Sequence, residues 1–245
     1  LIRDVYKDFG ITDYRCVLSL RDPEDKVKYH PDDAMWDKAE SALREVLTEL
    51  GIHFTEEIGE AAFYGPKLDV NVKPAVGAEY TLSTCQLDFC LPAKFDLKYV
   101  DSNGVEQTPV VLHRAILGSL DRFMAYLIEE TMGAFPCWLA PVQVKVLPVT
   151  DRAADYAQEI RSYLDDHGFR VEVDERNEKI GKKIREATLE KVPYMLVVGD
   201  RDIEAQTVSP RHRTGKDLGA MSYADFAARL HDEVAKKLMD TDLDL

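Results

Sequence analysis

The hydrophobic period of this chain changes at a Gly/Pro-punctuated stretch, "MGAFPCWLAPVQ" (residues 132–143), so its two sides call for two architectures. Upstream, "VLSLRD" reads as a strand and "HPDDAMWDKAESALREVLTELG" as an amphipathic helix. That helix should bury Met35, Ala39, Ala42, Leu43, Val46, Leu47 and Leu50, with Gly51 as its stop. Then alternation takes over: Leu68, Val70 and Val72 share one face of "KLDVNVK", "YTLSTCQLDFCLP" and "FDLKYV" follow, and "DSNG" turns the chain into "TPVVLH". This is a run of antiparallel-type strands. Downstream, strand and helix alternate: "VKVLPV", "DYAQEIRSYLDDHG" capped by Thr150 or Asp151, "FRVEVD", "KIGKKIREATLEKV" and "YMLVVGD". A weaker hairpin, "AQTVSPRHRTG", precedes a last helix opened at capping-box spacing by Ser222 and Asp225. Such alternation means a small three-layer unit with helices on both faces of its sheet. The expected domains are 1–139 and 140–245, and the fold class is α+β followed by α/β.

A chain of 245 residues is long enough for two cores, and 45% apolar with 31% charged residues excludes a disordered chain. No run approaches the ~18 apolar residues of a membrane span, and the first residues lack the order of a signal peptide, so a cytoplasmic protein is expected. Cys16, Cys85, Cys90 and Cys137 form no CxxC and read as small buried hydrophobes. The net charge of −14 argues against bulk electrostatic binding of nucleic acid, but it is unevenly spread. Residues 1–139 hold 14 Lys/Arg against 24 Asp/Glu, whereas residues 176–216 hold 10 against 6.

Residues 110–123, "VVLHRAILGSLDRF", carry the sharpest question. From Arg114 onward, Ile116, Leu117, Leu120, Phe123, Met124, Leu127 and Ile128 recur at helical spacing, which places Gly118 inside a helix with Arg114 and Arg122 on its face. An interior glycine costs about 1 kcal/mol relative to alanine. Either the notch between two guanidinium groups admits a flat or anionic ligand, or Gly118 permits close packing under two solvated arginines.

This segment resembles the third signature motif of class II aminoacyl-tRNA synthetases, in the form found in the threonyl enzymes. "AFYGPKLD", "STCQLDF", "FPCWLAPVQV", "RNEKIGKKIREATLEKVPYMLVVGD" and "GKDLGAM" resemble the same family in the same order, so the likeness covers essentially the whole chain. It implies a partial antiparallel class II catalytic sheet with helices, with the third motif at 110–123, and then a small three-layer anticodon-binding domain with a mixed sheet. The activity it implies is ATP-dependent activation of threonine and its transfer to tRNA-Thr, with ATP, Mg2+ and Zn2+ as cofactors. By this resemblance Arg122 stacks on adenine and touches the phosphates, and Gly118 and Ser119 make room for the nucleotide. Tyr64, Lys67, Thr84 and Gln86 line the same pocket, and Arg122 and Lys67 carry the charge work of catalysis. Taken alone, Lys67 would read as a surface lysine at a strand edge. His113 is implied as one zinc ligand, although a lone histidine after an apolar run also reads as a satisfied core residue.

In the second domain the resemblance implies that Asn177, Lys179, Glu204 and Arg213 meet anticodon bases. Arg176, Lys182, Lys183, Arg185 and Arg211 are either further phosphate contacts or a solvated helix face. The first two class II motifs, the editing domain and two further zinc ligands have no counterpart in these residues. The chain is therefore expected to be a synthetase fragment that alone neither forms threonyl-adenylate nor holds zinc tightly, cut from a homodimeric parent. At Thr81 several family members have glutamine, so any role of that glutamine is missing. A noncatalytic tRNA-binding module and a prolyl or histidyl sister enzyme are the alternative readings; His113 and "FYGPK" favour the threonyl form.

Overall fold

A computed structural model describes residues 1–240 and Leu243, in two compact units, Leu1–Tyr126 and Leu127–Leu245. The first unit opens with α1 (Ile2–Asp8), β1 (Tyr14–Leu20) and α2 (Asp33–Glu49). The Asp32 carboxylate caps α2 by accepting the Met35 N–H at 3.0 Å, and Gly51, at φ +61°, ends it. Trp36, Ala39, Leu43 and Leu47 form its buried face, whereas Val46 and Leu50 are exposed, which corrects the helical face expected from spacing. Trp36 takes over because its indole N–H reaches the His30 carbonyl at 2.9 Å while its ring packs on Tyr29.

Next come β2 (Phe54–Ile58), β3 (Lys67–Val72), β4 (Tyr80–Asp88), the short α3 (Cys90–Lys94), a two-stranded ribbon β5 (Tyr99–Val100) and β6 (Glu106–Gln107), and β7 (Val111–Ala115). The five-stranded sheet has the order β2-β1-β3-β4-β7. It is antiparallel except that β2 runs parallel to β1, a strand that alternation did not disclose because "FTEEI" presents two adjacent glutamates. On one face Leu18, Leu20 and Leu68 pack under Leu43 and Leu47 of α2. The other face carries Ser19, Lys67, Asp69, Thr84 and Gln86.

The largest correction concerns Gly118. Arg114 lies in β7 paired with Cys85, not in a helix, and α4 (Leu120–Thr131) begins only two residues after Gly118. Arg114, Gly118 and Arg122 therefore share no helix face. Gly118 adopts φ +62°, and a Cβ there would lie 2.9 Å from the Leu82 carbonyl oxygen. Glycine is required by backbone conformation and close approach, with no helix penalty to offset. The loop is fastened to β4 by a short hydrogen bond from the Ser83 hydroxyl to the Ile116 carbonyl, and Tyr6 donates in turn to Ser83 at 2.6 Å. In α4 the buried residues are Phe123, Tyr126 and Leu127, while Leu120, Met124 and Ile128 are exposed.

The second unit contains β8 (Val144–Pro148), a 3-10 turn (Asp151–Ala153), α5 (Ala154–Asp166), β9 (Val171–Val173), α6 (Ile180–Leu189), β10 (Tyr194–Val198), α7 (Asp200–Ala205), β11 (Ser209–His212) and α8 (Tyr223–Ala235). Thr150 precedes the 3-10 turn and makes no side-chain cap, while Ser222 accepts the Asp225 N–H at 3.0 Å and does cap α8. The sheet order is β11-β10-β8-β9, with β8, β9 and β10 parallel and β11 antiparallel. Val144, Val146, Tyr194 and Leu196 face α5 and α8, and Leu147 and Met195 face α6, so the three expected layers form.

His212 is fully buried against Tyr194 with its Nδ1 accepting the Thr214 N–H at 3.3 Å, and burial pushes its pKa below the ordinary 6.5. A depressed folded pKa contributes stability that is present above pH 6.5 and lost as pH falls through the folded value. Glu233, also buried and donated a hydrogen bond by Tyr194, is raised by burial and works in the opposite sense, losing stability as pH rises above the ordinary 4.5. Acidification from pH 7.5 to 5.5 should therefore lower the stability of His212→Gln less than that of the wild type, by up to about 1.4 kcal/mol per pH unit, as read by urea unfolding at each pH.

Candidate functional site

The polar face of the first sheet places the expected residues in a lattice set by strand register. Lys67 of β3 pairs with Gln86 of β4, which pairs with His113 of β7; one row along, Asp69 pairs with Thr84, and Thr84 with Ala115. Residues two apart on a strand share a face, so Lys67, Asp69, Thr84, Gln86 and His113 all project to the same side. Arg114 projects to the opposite side, where it lines a groove with Cys16, Val70 and Cys85.

Tyr64 reaches this lattice from the loop before β3. Gly65 lets the loop approach, since a Cβ there would sit 1.8 Å from the Leu87 carbonyl oxygen, and Leu87 N–H donates to Pro66 O at 3.1 Å. Tyr64 donates a short hydrogen bond to Gln86 Oε1, Gln86 Nε2 donates to Thr84 Oγ1 at 3.2 Å, and Thr84 donates to Asp69 Oδ1 at 3.0 Å. Asp69 Oδ2 accepts from Ser19 Oγ at 3.0 Å and pairs closely with Lys67 Nζ. Desolvation, aided by the Asp88 charge, raises the Tyr64 phenol pKa, so it stays a neutral donor. Asp69 and Ser19 belong to this network although the sequence reading did not select them. The available signal was an acid set between Leu68 and Val70 on the opposite face of a strand.

His113 is fixed from behind. Its Nε2 lies 2.8 Å from Asp88 Oδ2, and Asp88, wholly buried, accepts the Cys90 and Leu91 N–H groups on its other oxygen at 2.9 and 2.8 Å. The ring centroid stands 5.4 Å from that of Tyr64, and the carboxylate contact is made by Nε2 alone. A carboxylate behind one ring nitrogen is the arrangement that orients a metal-binding histidine. Among the described residues, no three His, Cys, Asp or Glu side chains gather as a metal site. Ser119 accepts the Arg122 N–H at 3.4 Å as the first residue before α4, and Arg122 itself is exposed, its guanidinium unpartnered among the described residues.

In the second unit, Asn177 and Lys179 lie between β9 and α6, and Glu204 lies in α7 after β10. All three are exposed beyond the C-terminal ends of parallel strands, where open α/β sheets bind ligands. Arg213 does not join them. It follows β11, which runs antiparallel, so it sits at the opposite end of the sheet with its N–H on Pro193 O. Its guanidinium donates to Phe135 O (2.7 Å), Lys191 O (3.0 Å), Ala134 O (3.1 Å) and twice to Asp240, and its side chain is 7% exposed. All five guanidinium donors are used internally, so Arg213 clamps three segments within the unit. Lys183 is likewise buried, donating to Pro148 O and Asp174 O at 3.0 and 2.9 Å, and Lys182 and Arg176 pair with Glu178 and Asp174. The Arg176 guanidinium holds the Asp174 carboxyl below its usual range.

The comparisons with known proteins cover both units. Residues 1–131 match the tRNA synthetase class II core domain (G, H, P, S and T). The chain belongs to the class II aminoacyl-tRNA synthetases. Residues 143–233 match the anticodon binding domain. Over 97% of its length, this synthetase chain is 55% identical to a threonine–tRNA ligase of Geobacillus kaustophilus and 53% identical to one of Staphylococcus epidermidis. It covers 36% and 37% of those proteins, little more than a third of their length. Among solved structures, the RNA binding domain of threonyl-tRNA synthetase from Cryptosporidium parvum superposes with a TM-score of 0.86 at 33% identity, over 94% of this chain and 57% of that one. No helix among the described residues is long and apolar enough to cross a membrane.

Proposed function

We propose that this chain carries part of the catalytic core and the anticodon-binding domain of a cytoplasmic, homodimeric threonine–tRNA ligase. The observation that supports the reading most directly is the lattice of Lys67, Thr84, Gln86 and His113 on one sheet face, in a chain 55% identical to such a ligase. Aminoacyl activation needs charge and positioning more than a nucleophilic side chain. In this reading Lys67 and Arg122 offer positive charge to the phosphates of magnesium-bound ATP, the Arg122 guanidinium lies along the adenine, and Gly118 lets the loop before α4 close onto β4 beside the nucleotide. Tyr64, Gln86 and Thr84 line the adenylate pocket. His113, oriented by Asp88, fits one ligand of a zinc ion whose other ligands lie outside the described residues. When bound, zinc supplies a Lewis-acid grip on the amino and hydroxyl groups of threonine. Asn177, Lys179 and Glu204 face the tRNA-Thr anticodon, where single-stranded bases expose edges to an amide, an ammonium and a carboxylate.

Titrating the chain with magnesium-ATP by calorimetry tests the catalytic half. Saturable binding is expected, weakened roughly 10- to 100-fold in Arg122→Ala, the range for losing a hydrogen bond from a charged group. Absence of saturable ATP binding together with retained binding of the anticodon stem-loop would instead identify a noncatalytic RNA-binding module.

A further inference from the structure

We infer that Asp69 is the positioning residue of this site: its carboxylate aims the Lys67 ammonium and fixes the direction of the hydrogen-bond chain that runs from Tyr64 to Thr84. Asp69 is 5% exposed on the polar face of β3, and donors from three adjacent strands converge on it: Ser19 of β1, Lys67 of its own strand and Thr84 of β4. A carboxylate accepts without donating, so it ends the chain. The Thr84 hydrogen is committed to Asp69, which leaves the Thr84 oxygen to accept from Gln86 Nε2. The Gln86 amide is thereby turned with Oε1 toward Tyr64, whose hydrogen it takes. Replacing the carboxylate by any group that also donates removes the one fixed end, and the amide and both hydroxyls can then reverse.

Lys67 gains differently. Its four-carbon stem has many rotamers, and binding an anion normally requires freezing them. The contact to Asp69 uses one of three N–H donors and holds the stem before any ligand arrives, so the freezing cost is met in the folded protein and not on binding. The Lys67 side chain remains 20% exposed, enough to present the other donors.

This inference rests on the proposed ATP contact of Lys67, and its test separates the two. Magnesium-ATP affinity would be measured on the full 245-residue chain for wild type, Asp69→Asn, Lys67→Ala and the double variant, alongside the 15Nζ ammonium resonance of Lys67. Asp69→Asn should weaken ATP about 10-fold, and the double variant should be no weaker than Lys67→Ala alone, because a misaimed lysine and a missing one lose the same contact. The ammonium resonance, slowed in exchange by its hydrogen bond, should be visible in the wild type and lost in Asp69→Asn. Losses that multiply in the double variant, a resonance that survives Asp69→Asn, or none in the wild type would overturn the inference. ATP binding unchanged in Lys67→Ala would overturn the nucleotide reading, while the ammonium resonance would still decide the role of Asp69. Should Asp69→Asn fail to fold, the wild-type resonance together with Asp69→Ser decides in the same way.

Discussion

Gly118→Ala is expected to destabilise the N-terminal unit by roughly 2–4 kcal/mol, against a helix-interior expectation of about 1 kcal/mol in the opposite direction. Two effects add. An alanine at φ +62° costs on the order of 1–2 kcal/mol, and its Cβ would lie 2.9 Å from the backbone oxygen of Leu82, which cannot move without disturbing β4. The loop cannot yield easily either, because Ile116 O is tied to Ser83, which is tied to Tyr6. For a unit of this size the loss corresponds to a fall of roughly 8–15 °C in its melting temperature. Gly181, within α6 and with open space around its Cβ position, is the matched control: Gly181→Ala should be neutral or stabilising by up to about 1 kcal/mol. Differential scanning calorimetry of the two variants reads the difference in sign directly. A rise in melting temperature for Gly118→Ala would show that residues 116–119 are helical.

Arg213→Ala is expected to cost about 3 kcal/mol, the lower end of the range for breaking a buried ion pair, because Arg213 is 7% exposed but Asp240 keeps 31% exposure. Truncation strands the Asp240 carboxylate and the carbonyls of Ala134, Phe135 and Lys191, three chain segments that the guanidinium joins. Arg213→Lys should recover little, since one ammonium cannot span that fork. The RNA measurement follows from the same geometry. With the donors turned inward, losing Arg213 should weaken an anticodon stem-loop and a scrambled loop equally, through lost folding, whereas base reading would penalise the cognate loop selectively. Urea unfolding of the variant and fluorescence anisotropy with both loops check the two parts. A selective loss at unchanged stability would restore Arg213 to the anticodon.

Where local chemistry decided, the sequence was readable. Ser222 caps its helix as its spacing suggests, Leu68, Val70 and Val72 share a face of β3, and the alternation after residue 143 produces three layers around a mixed sheet. Lys67, Thr84, Gln86 and His113 converge on one face because strand period and register carry them there. The helix expected from Arg114 onward failed for a definite reason. Ile116, Leu117 and Leu120 match helical spacing, but Arg114 and Ala115 gain more by extending the ladder with Cys85 and Thr84, about 30 residues away in the chain.

What the sequence by itself determined is the order of elements, the two-part architecture and the residue types available to a synthetase site. Only the tertiary structure decided which charged groups are spent internally: Arg213 on Asp240 and three carbonyls, Lys183 on two carbonyls, and Asp69 on Lys67, Ser19 and Thr84. The physical reason is common to all three. A buried charge must find partners, those partners are backbone and side-chain groups brought close by packing, and most of them lie too far away along the chain for any local pattern to announce them.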